Sequence, residues 1–210
     1  MLDAMRRPLI AAVAMITGAT LSGCEQSKDG AYADFPTPPE TMVANFSLTS
    51  GTVVPFPTDL FFSGSTDLTL NIPATAGAPA VFTGPYLNTL DGFSTTASAI
   101  TRFSLPLNAG TIGSSTVKVV ELYLSNTTKG PAQGAELPAG VTSPVKRVLA
   151  YGTDYTAGVS TAVDSAGRTL EITPLKPLTP STGATNIGYL VLLTNGIASD
   201  SGLPAQPSTD

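Results

Sequence analysis

The chain has no histidine, no tryptophan and a single cysteine in 210 residues. Lacking histidine, it is without the usual general base, the commonest transition-metal ligand and every Ser-His-Asp arrangement. Charged residues make up only 12%, and the formal net charge is −5. An acidic chain of this kind offers no footprint for nucleic acid and no polybasic attraction to anionic lipid. Helix signals are also scarce. What it does have is Ser, Thr, 20 Gly and 18 Pro beside 42% hydrophobic residues. That balance suits an extracellular all-β protein better than a helical one.

The lone cysteine, Cys24, closes the run Leu21-Ser22-Gly23-Cys24, which follows Arg6, Arg7 and an apolar stretch from Pro8 to Thr20. A basic start, an apolar middle and small residues at the end make a secretory signal. A membrane-spanning helix needs about 20 apolar residues. This run is shorter and is interrupted by Thr17, Gly18, Thr20, Ser22 and Gly23. An ordinary signal would instead be cut after an Ala-x-Ala-like site. Leu21-Ser22-Gly23-Cys24 resembles the lipobox of bacterial lipoproteins, where the thiol is diacylated and the chain is cut ahead of it. The expected mature chain begins at Cys24, keeps 187 residues and carries a net charge of −6. With Cys24 acylated no thiol remains, which excludes disulfides, Cys-based metal sites and thiol catalysis. Residue 25 is Glu. Many lipoproteins retained at the inner membrane have Asp at that position, so the expected address is the outer membrane. Each buried methylene contributes about 0.8 kcal/mol, and two or three long acyl chains on one residue hold durably.

Residues 24–45 read as a lipid-anchored tether, with Pro36, Pro38 and Pro39 favouring polyproline II. Short apolar runs separated by turn residues follow. Leu68–Ile72 alternates and stops at Pro73, as a solvent-facing strand would. Tyr86–Leu90 predicts one helical turn closed by Asp91 and Gly92. Val117–Leu124 alternates with period two over eight residues. Val148–Tyr151, Gly158–Val163 and Arg168–Thr173 are expected strands, the last two joined by a turn at Asp164–Gly167. Ile187–Leu193 is a longer apolar run, expected as a central strand buried on both faces. Turns are expected at Asn195-Gly196 and Asp200–Gly202. Several short strands at such spacing indicate an immunoglobulin-type β-sandwich with a β-rich N-terminal extension. The expected organisation is a signal peptide over 1–23, a tether over 24–45, an N-terminal part over 46–100 and an Ig-like sandwich over 101–206. The boundary at 100 is soft, since both parts can share one core.

Val54–Asp67 (VPFPTDLFFSGSTD), followed by Leu70–Pro73, resembles the N-terminal domain of bacterial virulence-factor lipases. Leu87–Thr96 (LNTLDGFSTT) is similar to that family's second signature. Leu178-Thr179-Pro180, Gly188–Ile197 and Asp200–Gly202 look like a bacterial Ig-like module. The resemblance spans about residues 24–205. It implies a region that precedes an α/β-hydrolase domain acting on lysophospholipids or other lipid esters at the cell surface. A nucleophile elbow Gly-x-Ser-x-Gly and a histidine would be needed for that chemistry. Gly92–Thr96 lacks the final glycine, so the resemblance carries no catalytic residue onto this chain.

Other candidates are weighed against plainer readings. Ser143-Pro-Val-Lys146 matches the Ser-x-x-Lys nucleophile motif. That motif needs its serine at a helix start, and here proline follows it in a loop, so a chance match is expected. Asp59, Asp67 and Asp91 suggest carbohydrate or calcium binding, but calcium wants six to eight converging oxygens and no Asp-x-Asp-x-Asp-Gly run occurs. Caps and Asx-turns account for them. Phe56, Phe61, Phe62, Phe82, Phe93 and Phe103 suggest an acyl-binding groove; a chain without tryptophan is expected to need them in its core. Lys146 and Arg147 read as an exposed strand end. The sequence thus predicts a non-catalytic accessory domain, anchored to the outer membrane through Cys24 and exposed at the cell surface. Its work would be to position a hydrolase, with no cofactor, metal or nucleic-acid partner. The alternative is a stand-alone envelope lipoprotein that binds a glycan or a lipid.

Overall fold

A computed structural model of the chain describes residues 41–48, 53–72, 86–183 and 185–209. The signal segment, Leu21, Ser22, Gly23, Cys24, the tether up to residue 40 and Phe82 lie outside the described residues. The protein is all-β. Its strands are β1 (Met42–Val43), β2 (Ala99–Arg102), β3 (Val117–Leu124), β4 (Val145–Val148), β5 (Tyr155–Val159), β6 (Thr169–Pro174), β7 (Asn186–Leu193) and β8 (Ala205–Gln206). Among the described residues the only helices are four short 3₁₀ turns.

Two antiparallel sheets are ordered β2-β6-β5 and β4-β3-β7, and a parallel ladder joins β1 to β8. The period-two pattern of Val117–Leu124 becomes β3, the middle strand of its sheet. Val117 and Val119 point into the core with Leu170 and Ile172 of β6, Tyr155 of β5, Met42, Phe103, Leu107, Leu149 and Ile197. Tyr155 also ties the sheets together: its hydroxyl donates to the carbonyl of Val117 at 2.7 Å, fully inside. Burial of this cluster outside water is what holds the sheets against each other. The expected boundary at residue 100 falls within β2, and Met42 on one side of it shares this core with residues on the other.

The Asp164–Gly167 turn forms as its residues dictate. The Asp164 carboxylate accepts from the Ala166 amide at 2.9 Å, and Gly167 takes φ +68°, a conformation glycine enters without strain. The chain between β5 and β6 therefore reverses here. The Tyr86–Leu90 expectation matches a 3₁₀ turn at Leu87–Thr89.

Three strand expectations need correcting. Leu68–Ile72 forms no strand. Asp67 gathers the Ser65 and Thr69 hydroxyls and the Thr69 amide, while Leu68 turns to φ +65°. Local side-chain bonds have displaced a ladder there. Ile187–Leu193 lies in β7, but at a sheet edge and not at the centre, with Leu190 and Leu192 45% and 44% exposed. The run's uniform apolarity gives no information about which strand lies beside it. Finally, β4 starts at Val145 and β5 at Tyr155, each three residues ahead of expectation. Ser143 takes the Val145 amide on its hydroxyl at the start of β4.

Candidate functional site

The segments 54–72 and 87–96 are bound to each other. In the first, Thr58 caps a 3₁₀ turn at Asp59–Phe62 through its hydroxyl, at 3.5 Å from the Leu60 amide. The chain then folds back, so that Asn71 donates from its side chain to the Ser63 carbonyl and from its amide to the Phe61 carbonyl. The second segment closes over this loop. The Asn88 side chain accepts from the Ile72 amide at 2.9 Å and donates to the Ile72 carbonyl at 3.1 Å. Leu70 donates to the carbonyl of Leu90. Such a reciprocal amide clasp fixes two segments that have no ladder between them. One edge of this unit is fastened to the sheet, where Phe56 and Ile100 exchange backbone hydrogen bonds.

The clasp gathers four phenylalanines. Phe56 meets Phe93 edge-on, with ring centres 5.6 Å apart, and Phe62 meets Phe93 edge-on at 5.9 Å. Phe61 lies 6.3 Å from Phe56 and 6.5 Å from Phe93. Edge-to-face contacts of this kind suit the ring quadrupole. Among the described members of that set, the expected core role therefore holds for Phe103 alone, which is 2% exposed. Phe56, Phe61, Phe62 and Phe93 form a separate half-buried group, and Phe56 itself is 46% exposed. A 3₁₀ turn carries Phe61 and Phe62, a bridge to Ile100 carries Phe56, and the four rings pack on one another. Leu60, Leu90 and Tyr86 on the same two turns are also exposed.

Lys129, on another loop, reaches this group. Its ammonium stands 5.0 Å above the Phe62 ring and donates to the Asp91 carbonyl at 3.0 Å. That placement combines a cation–π contact with a hydrogen bond. Asp59 sits at the edge of the group. Loss of water pushes its carboxyl above the ordinary value, and the charge of Lys129 draws it partly back.

A second constellation, unforeseen from the sequence, lies on β3. Glu121 is fully covered and faces Arg147 of β4 in register. Between this pair and the next, Leu122 with Val145, β4 carries one extra residue, Lys146. Such a bulge sets two residues against one. Lys146 Nζ and Arg147 Nε each lie 2.6 Å from a Glu121 carboxylate oxygen. Arg147 also reaches Asp154 at 3.3 Å, and Asp154 holds Lys176 at 2.6 Å and the Ala150 amide at 2.7 Å. Burial alone would raise the Glu121 carboxyl. Hydrogen bonds from Lys146, Arg147 and Thr179 outweigh it and hold the group below its usual value. The hydrogen bond from Lys176, with that from the Ala150 amide, draws Asp154 down to about 2. The cations are half exposed, so the cover over Glu121 consists of their own side chains. One signal of this was readable: Glu121 occupies a core-facing position in the alternation Val117, Val119, Glu121.

The remaining sequence candidates separate. Lys146 gives its ammonium to Glu121, and Ser143 accepts from a backbone amide, so the Ser-x-x-Lys pair does not come together as a reacting couple. Lys146 and Arg147 lie exposed on β4, as expected, and are in addition the partners of a buried acid. Asp67 makes an Asx-turn as expected, whereas Thr58, and not Asp59, supplies the cap. Among the described residues no group of three or more potential ligands could hold a metal ion, and no helix is long and apolar enough to cross a membrane. Compared with protein-family models, curated proteins and solved structures, the chain matches none.

Proposed function

We propose that the chain is a lipid-anchored accessory domain of Ig-like sandwich type, which holds a lipid-ester hydrolase at the outer face of a bacterial outer membrane. The observation that carries this reading is Leu21-Ser22-Gly23-Cys24 behind a basic and apolar leader, the pattern at which a thiol is acylated. Two structural features support it. The Tyr155–Val117 bond and the shared core suit a sandwich of the two sheets. Strand β1, just after the tether, pairs in parallel with β8, and the segment after β8 runs on beside residues 44–46. Ser208 reinforces this junction by donating to the Phe46 carbonyl at 2.7 Å.

The test is cellular. Cys24→Ser should abolish incorporation of labelled palmitate and leave the chain uncut, while protease added to intact cells should digest the native form. Purified native chain should release no fatty acid from lysophospholipid or short-chain esters. Turnover above a protein-free blank would contradict the accessory role, and undiminished palmitate labelling of the Cys24→Ser chain would contradict the anchor.

A further inference from the structure

We infer that the phenylalanine group formed by the two signature turns is a membrane-seating surface, which dips into the acyl boundary of the lipid layer that holds the anchor. The inference rests on the proposed anchor, because the anchor makes a lipid layer the nearest apolar phase.

Covalent geometry provides the first argument. Cys24 and Thr41 are separated by residues 25–40, a stretch that spans at most roughly 60 Å when fully extended. A body so held meets the lipid surface continually, and any apolar face on it samples that surface at high effective concentration.

Chemistry provides the second. Phe56, Leu60, Leu90 and Tyr86 are between 39% and 61% exposed, and Phe61 and Phe93 pack against Phe56. Aromatic and leucine side chains exposed together mark an interaction surface. Aromatic rings are favoured at the boundary between acyl chains and headgroups. Part of the backbone that carries these side chains is hydrogen-bonded within its own turns. Within the first turn the Phe61, Ser63 and Ser65 amides donate to Thr58, Leu60 and Phe62, and within the second the Thr89 and Leu90 amides donate to Tyr86 and Leu87.

Charge adds no attraction. Lys129 lies over Phe62 with its ammonium directed at a carbonyl, while Asp59, Asp67 and Asp91 belong to the same two segments. One cation beside three carboxylates on an acidic chain gives no attraction to anionic headgroups. The seat is therefore driven by apolar contact and is insensitive to salt.

A soluble fragment, residues 41–210, suffices for the test, because it is one compact unit that contains the whole described core and lacks Cys24. It should co-sediment with phosphatidylcholine vesicles to the same extent at low and high salt. Phe56→Ser combined with Leu60→Ser should reduce that partition about tenfold or more. Val148→Ser combined with Leu190→Ser, on the exposed face of the other sheet, should leave it unchanged. An environment-sensitive dye on the thiol introduced by Leu60→Cys should shift to the blue with vesicles, and the same dye after Val148→Cys should not. The dye experiment needs no loss of stability, so a poorly folded serine variant cannot mimic the result. Failure of the native fragment to bind, equal loss with the Val148 and Leu190 pair, or binding that demands anionic lipid and disappears in salt would each overturn the inference. A free thiol at Cys24 in cells would overturn the anchor alone, since the fragment never contained it.

Discussion

Arg147 faces Glu121 across the β3–β4 ladder, its Nε 2.6 Å from the Glu121 Oε2, and the β4 bulge brings Lys146 to the other carboxylate oxygen. A core-facing acid is tolerated there because both its oxygens are occupied by cations. Removing it should uncover two charges that can partly turn toward water. Glu121→Ala is expected to lower stability by about 2–3 kcal/mol, less than for a pair sealed on every side. Urea midpoints of native and Glu121→Ala chains check this, and an unchanged midpoint would mean the pair contributes nothing.

Acid should weaken the protein through the neighbouring group. Asp154 titrates at about 2 in the fold against an ordinary 3.8, and Glu121 is lowered too. A depressed carboxyl binds fewer protons in the native state, so its contribution is complete above the unfolded value. It fades as pH falls from about 5 towards 2. The Tm should decline over that window. Asp154→Asn should lower the Tm at neutral pH and flatten the decline, and parallel curves for the two proteins would contradict the assignment.

The bond between the sheets allows a cleaner substitution. Tyr155→Phe removes only the hydroxyl that donates to the Val117 carbonyl at 2.7 Å, in a residue 3% exposed. Loss of a buried hydrogen bond with an acceptor left behind is expected to cost about 1–2 kcal/mol. Thermal unfolding of the single variant measures it. A phenylalanine variant as stable as the parent would show that the hydroxyl contributes nothing to holding β5 against β3.

What could be read from the chain beforehand follows from which interactions are local. The eight-residue alternation at Val117–Leu124 and the Asp164–Gly167 turn depend on neighbours in sequence, and both appear where their residues place them. Leu68–Ile72 misled because Asp67 offered its own hydrogen bonds to Ser65 and Thr69, a competition that apolar alternation does not reveal. β7 misled for a different reason: Leu190 and Leu192 look like core residues until the sheet order leaves them beside an open edge. The site divides along the same line. Phe56, Phe61, Phe62 and Phe93 were visible as a set, yet their departure from the core depends on the Asn88–Ile72 clasp, which joins residues 16 apart. The Glu121 network depends on a register and on one bulge, neither of which is written in spacing.

The central claim concerns the sulfur of Cys24, and mass spectrometry of the exported chain tests it most directly. The account predicts that the first residue of the mature protein is Cys24, that its thiol carries a diacylglyceryl group and that residues 1–23 are missing. An unmodified Cys24 thiol, or a mature chain that starts elsewhere, would contradict it.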